Sequence, residues 1–107
     1  MIKTLCEALE KRDFIAVAEC FGEDGKYIDY CPAQVKMDDW FLYGKGHVEM
    51  WFRNRFTMGS FSAFDPRPED DTHATWFACY NGVYVPALLT VEYAADGKIA
   101  KAVVRPE

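Results

Sequence analysis

The chain has 107 residues, half of them hydrophobic, and a net charge of −5. That length supports one domain, residues 1–107, with enough chain to bury a core. The acidic balance excludes the basic stripe that nucleic acid or an anionic membrane requires, and no apolar run is long enough to span a bilayer. The opening Met-Ile-Lys-Thr-Leu-Cys-Glu meets acids at Glu7 and Glu10, unlike a secretory signal, so a cytoplasmic location is expected. Eight Phe, six Tyr and three Trp are many rings for so short a chain, and some are expected to line a pocket or a subunit interface. Cys6, Cys20, Cys31 and Cys79 form no C-x-x-C pair and fit no zinc or iron–sulfur spacing, so buried reduced thiols are expected.

Ile2, Leu5 and Leu9 recur at helical spacing, giving a short helix that ends near Lys11-Arg12. Asp13 then reads as the N-cap of a second helix with Phe14, Val17, Ala18 and Phe21 on its apolar stripe. Gly22-Glu23-Asp24-Gly25 reads as a turn and Lys26 to Cys31 as a strand ended by Pro32. Residues 33–43 read as an irregular but apolar stretch, a lid or dimer contact. A third helix runs from His47 to about Thr57, burying Val48, Trp51, Phe52 and Phe56, with Arg53 and Arg55 on a solvated face; the alternative for Arg55 is to hold an anionic substrate group, which nothing in the sequence selects.

Beyond Gly59 the pattern changes to strands. Ser60 to Phe64 is one, and Asp65 to Asp71 is a polar loop broken by two prolines. His73 to Tyr80 and Val83 to Tyr93 are partners across Asn81-Gly82, a strong hairpin signal that sets Tyr80 opposite Val83 and Ala78 opposite Val85. Pro86 marks a bulge or an edge. Ala95-Asp96-Gly97 turns the chain into a last strand, Lys98 to Arg105. The result is an α+β domain with helices on one face of a curved antiparallel sheet and the other face open to a second subunit.

Asp29 is the best handle on chemistry. It shares a strand face with Tyr27 and Cys31, and a carboxyl among aromatic groups tends toward a raised pKa, which suits a general base near neutral pH. The alternative is a carboxylate hydrogen-bonded to a tyrosine or a backbone amide.

Four stretches, Leu9 to Phe21, Gly22 to Asp29, Tyr43 to Arg53 and Asn81 to Ile99, resemble the nuclear transport factor 2-like superfamily, which includes SnoaL-like polyketide cyclases and ketosteroid isomerases. The resemblance implies a cone-shaped curved sheet with three N-terminal helices packed in its concave face, an open pocket and a homodimer through the outer sheet face. It places Asp29 where ketosteroid isomerases hold their general base. The family's phenol donor falls at about Leu5 and its second acid near Leu89 or Thr90, none of which keeps the chemistry.

Two readings follow. In the first, a cyclase, isomerase or dehydratase uses Asp29 as base on a small apolar carbonyl compound, with no metal or redox cofactor required. His73 would pair with Asp29 if its strand face turns inward. Replacement donors come from Tyr27, Tyr30, Tyr43 or Tyr80, and Trp51, Trp76 and His47 form pocket wall and mouth. In the second, the chain is a non-catalytic ligand-binding or dimeric module, its cone filled by rings such as Trp40 or Trp51.

Overall fold

Ile2, Leu5, Cys6 and Leu9 fall on one side of a helix and are all buried, which is why α1 (Ile2–Glu10) docks on the sheet. The computed structural model describes all 107 residues. Arg12, at φ 57°, breaks the helix, and its guanidinium donates to the Phe56 carbonyl at 2.6 Å and to Ser62 Oγ at 3.3 Å. Asp13 caps α2 (Phe14–Glu19) as its position predicts, accepting from the Ala16 N–H at 3.0 Å.

Helix α2 stops at Glu19, and Gly22 to Gly25 belong to β1 (Phe21–Asp29), not to a free turn. The pairing of β1 with the last strand slips between Phe21 and Lys26, so these residues bulge against Ile99. A Cβ on Gly25 would stand 2.8 Å from the Ile99 carbonyl oxygen and 3.0 Å from the Gly22 oxygen and the Phe21 Cβ. Two of the three obstacles are backbone, so Gly25→Ala is expected to lose about 1–3 kcal/mol in denaturant unfolding. An unchanged midpoint would contradict this close approach.

The irregular stretch expected at 33–43 resolves into a 3₁₀ turn, Pro32–Val35, and a short strand, β2 (Trp40–Tyr43). Helix α3 (Lys45–Met58) follows, then β3 (Phe61–Pro68), β4 (His73–Tyr80), β5 (Val83–Ala95) and β6 (Lys98–Pro106). β3 runs past the expected loop boundary through Pro66 and Pro68. It is an edge strand with a slip between Phe64 and Arg67, where prolines are tolerated. Asn81 and Gly82, at φ 51° and 88°, form the expected hairpin turn, and Tyr80 faces Val83. Pro86 pairs with Phe77 without a bulge. The slip in β5 lies instead between Val91 and Ala94.

The six strands form one curved, open sheet in the order β2-β1-β6-β5-β4-β3. All neighbours are antiparallel except β1 and β6, which are parallel, so the sheet is not wholly antiparallel as expected. Their link is most of the chain, the long crossover that parallel pairing demands. Strand parity sorts the side chains. Tyr27, Trp40, Leu42, Phe61, Trp76, Tyr80, Leu89 and Val104 point to the concave side and merge with the buried residues of the three helices into one core of 29 residues. Ile28, Tyr30, Phe41, Tyr43, Phe64, Phe77 and Tyr84 stand on the convex side. No helix is long and apolar enough to cross a membrane.

Candidate functional site

Asp29 is the last residue of β1 and lies on the concave side in a cross-strand row with Trp40 and Val104. It is the one buried charged residue, 1 % exposed. Its Oδ1 accepts the Cys31 N–H at 2.8 Å, the turn made as the chain leaves the strand. Its Oδ2 accepts the hydroxyl of Tyr80, which reaches across the cone from the end of β4. Burial pushes the Asp29 pKa up to about 6, while the bonds from Tyr80 and Cys31 pull it down. Burial, and then the adjacent Asp29, push the Tyr80 phenol far above its ordinary range, so it stays a donor. The Tyr27 hydroxyl, raised first by burial and then by Asp29, is buried without a hydrogen-bond partner. Cys31 is fully buried and its thiol is raised by burial and by Asp29.

Rings occupy the space in front of this carboxyl. Trp40 packs edge-on against Tyr80 at 5.5 Å, Phe61 at 5.0 Å, Phe52 at 5.9 Å and Trp51 at 5.5 Å between centroids. Tyr27 closes on Phe52 at 5.2 Å. The three principal clefts lie elsewhere. One of about 410 Å³ runs between Asp65, Arg67, Glu69, Thr75, Phe77 and Glu107, with Trp76 in its wall. A second of about 310 Å³ opens between Met1, Ala16, Cys20 and Lys98, and a third of about 240 Å³ between Leu9, Arg12, Ser62 and Phe64.

The residues singled out from sequence divide into three places. Asp29 and Tyr27 come together inside the cone, and of the four tyrosines named as donors Tyr80 is the one that reaches Asp29. Trp76 is also inside, 2 % exposed, with an unpartnered indole N–H. Tyr30 and Tyr43 are on the convex face, where Tyr30 packs on Phe41 and Tyr43 lies near Lys26. His73 is convex too: it occupies a row with Thr90, Val103 and Ile28, so the sheet stands between it and Asp29. Its Nδ1 meets Asp70 at 2.8 Å, and the pairing of His73 with Asp29 does not occur. His47 and Trp51 sit on α3, with the His47 Nδ1 accepting the Tyr43 N–H at 3.2 Å.

All four cysteines are free; Cys6, Cys20 and Cys31 are buried, while Cys79 is half-buried on the convex face. No group of three or more His, Cys, Asp or Glu side chains converges as metal ligands. Sequence reasoning did not find the stacking of Arg55 on Trp51, although their spacing of four residues on one helix is the signal for it.

These features define a class by architecture: the chain has the nuclear transport factor 2-like, or cystatin-like, fold. A SnoaL-like protein of unknown function from Burkholderia thailandensis superposes with a TM-score of 0.68 at 16 % identity, covering 98 % of this chain and 90 % of that one. A hypothetical protein with a ketosteroid isomerase-like fold from Catenulispora acidiphila, in complex with trimethylamine, gives 0.68 at 13 % identity, covering 97 % and 82 %. A cystatin-like-fold protein from Silicibacter pomeroyi gives 0.69 at 16 %, covering 98 % and 73 %. At these identities the likeness is one of fold. No family model and no curated protein matches the sequence.

Proposed function

We propose that this chain is a non-catalytic interaction module that pairs with a second copy through the convex face of its sheet. The observation that carries the reading is the distribution of rings. Inside, Trp40, Phe52, Phe61 and Tyr80 pack on one another beside Asp29, whose oxygens are bound by Tyr80 and Cys31. Outside, Phe41, Tyr43, Phe64, Phe77 and Tyr84 are 46–57 % exposed on one face. A two-fold pair needs a self-complementary patch. This face has apolar groups at both ends and both signs of charge at its middle, where Glu92 lies 3.2 Å from Lys101 and 3.7 Å from Arg105. The Asp29–Tyr80 bond then serves to tie β1 to β4 across the cone.

Sedimentation equilibrium tests the pairing. A concentration-dependent dimer is expected, and Phe77→Glu with Phe41→Glu should yield a monomer with unchanged circular dichroism, because each places a charge in the buried patch. A wild-type chain that stays monomeric at about 100 μM, a concentration at which even weak specific pairs form, would reject it.

One observation favours acid–base chemistry as the second reading: Asp29 is held near pKa 6 with a phenol donor in contact. On that reading a small apolar carbonyl compound takes the place of the Trp40 ring, and Asp29→Asn abolishes turnover without loss of thermal stability.

A further inference from the structure

Asn81 and Gly82 are both exposed at the tip of the β4–β5 hairpin. The turn selects this pair because both of its residues take positive φ, 51° and 88°. Asn81 donates its backbone N–H to the Ser60 carbonyl at 3.0 Å, which holds the start of the turn. The N–H of Gly82 and the side-chain amide of Asn81 bond to nothing in the protein. Gly82 has no side chain to shield its nitrogen, and a Cβ at this position would meet no atom within 4 Å. An unbonded backbone nitrogen therefore stands directly after an unbonded carboxamide, with open space around the turn.

Comparable positions lack one of these parts. Asn54, the other asparagine of the chain, lies inside α3, where the N–H that follows it is committed to the helical ladder. Gly25 follows Asp24, but it is packed against the Ile99 carbonyl. Exposed turns with few buried contacts open at the low end of local unfolding free energies, so the backbone rotation needed to bring the Gly82 nitrogen onto the Asn81 side chain costs little here. The same turn is tied to the interior of the cone. Tyr80 immediately precedes Asn81, pairs with Val83 across the turn and donates its hydroxyl to Asp29.

We propose that Asn81 is a site of spontaneous deamidation, with water as the only co-reactant, and that its isoaspartyl product loosens the bond from Tyr80 to Asp29. The Gly82 nitrogen bonds to the Asn81 Cγ, the bond from Cγ to the side-chain nitrogen breaks, and that nitrogen leaves as ammonia with the proton from Gly82. Water then adds to either carbonyl of the cyclic imide and opens it to aspartate or isoaspartate, with no change of oxidation state. Isoaspartate lengthens the backbone of a turn built for two ordinary residues, and so displaces Tyr80 beside it. Aspartate leaves the backbone as it was. The site stands whether or not the chain dimerises or catalyses.

The test is incubation of the folded chain at mildly alkaline pH in water enriched in heavy oxygen, followed by peptide mapping in a mass spectrometer. Loss of the Asn81 amide with uptake of a single heavy oxygen is expected. Its rate should lie within about tenfold of that in an unstructured peptide of the same local sequence, a factor equivalent to a turn-opening cost of about 1.4 kcal/mol. A slower rate in the folded chain overturns the site, and so does loss at Asn54 as fast as at Asn81. The isoaspartyl chain, separated after incubation, should exchange its Tyr80 hydroxyl proton with solvent faster than Asn81→Asp, which carries the same added charge on an ordinary backbone. Equal exchange overturns the link to Asp29. The wild-type incubation decides the site itself even if the variant does not fold.

Discussion

Trp40→Ala is expected to be the most damaging single substitution in the chain, removing about 3–5 kcal/mol of stability. The ring is 5 % exposed and touches Tyr80, Phe61, Phe52 and Trp51, so its removal leaves a cavity walled by large rigid groups that relax little. For a domain of this size that loss lowers the melting temperature by roughly 15–30 °C, and it is a large part of a typical total stability of about 5–15 kcal/mol. Urea or thermal unfolding checks it. A loss below about 1 kcal/mol, the range of surface substitutions, would mean that the Trp40 ring does not fill the cone.

The second large effect is on pH dependence. In the unfolded chain Asp29 titrates near the ordinary value of 3.8, and in the folded chain near 6. Between these values the folded state holds a proton that the unfolded state has released. Stability from this group therefore falls as pH rises from about 4 to about 6 and is level above that, with a total loss on the order of 3 kcal/mol. Below about 4 both states are protonated and the group contributes no slope.

Asp29→Asn removes the ionisation and keeps one acceptor, so the difference between variant and wild type should grow in the variant's favour across that window. Tyr80→Phe deletes the donor that partly stabilises the carboxylate, and should move the window to higher pH. Unfolding free energies measured from pH 4 to 7 check both. A wild-type curve that rises across this window as steeply as that of Asp29→Asn would contradict the account.

What the sequence disclosed depended on whether the signal was local. Asn81-Gly82 fixed a hairpin and its register because the turn needs two residues at positive φ, and the strands beside it follow from alternation. The Gly22–Gly25 stretch misled because a glycine that admits a tight turn also admits the approach of Ile99, and only the fold distinguishes them. β2 was hidden because Trp40-Phe41-Leu42-Tyr43 is apolar on both faces, so its alternation of buried and exposed residues leaves no polarity pattern.

Asp29 was legible as an acid sheltered among rings. Its partner was only one of four candidate tyrosines, since Tyr80 is 51 residues away in sequence and is aligned by the curvature of the sheet. His73 failed for a matter of parity: it lies on β4 an odd number of residues from Tyr80 and so takes the opposite face.

The carboxyl carbon resonance of Asp29, followed by NMR from pH 3 to 8 in the wild-type chain, tests the enclosure of that side chain most directly. A midpoint near 6, with the Tyr80 hydroxyl proton protected from exchange, is the expected result. A midpoint in the range of an ordinary exposed aspartate, near 4, would show a carboxyl bathed in water and contradict a ring-filled cone.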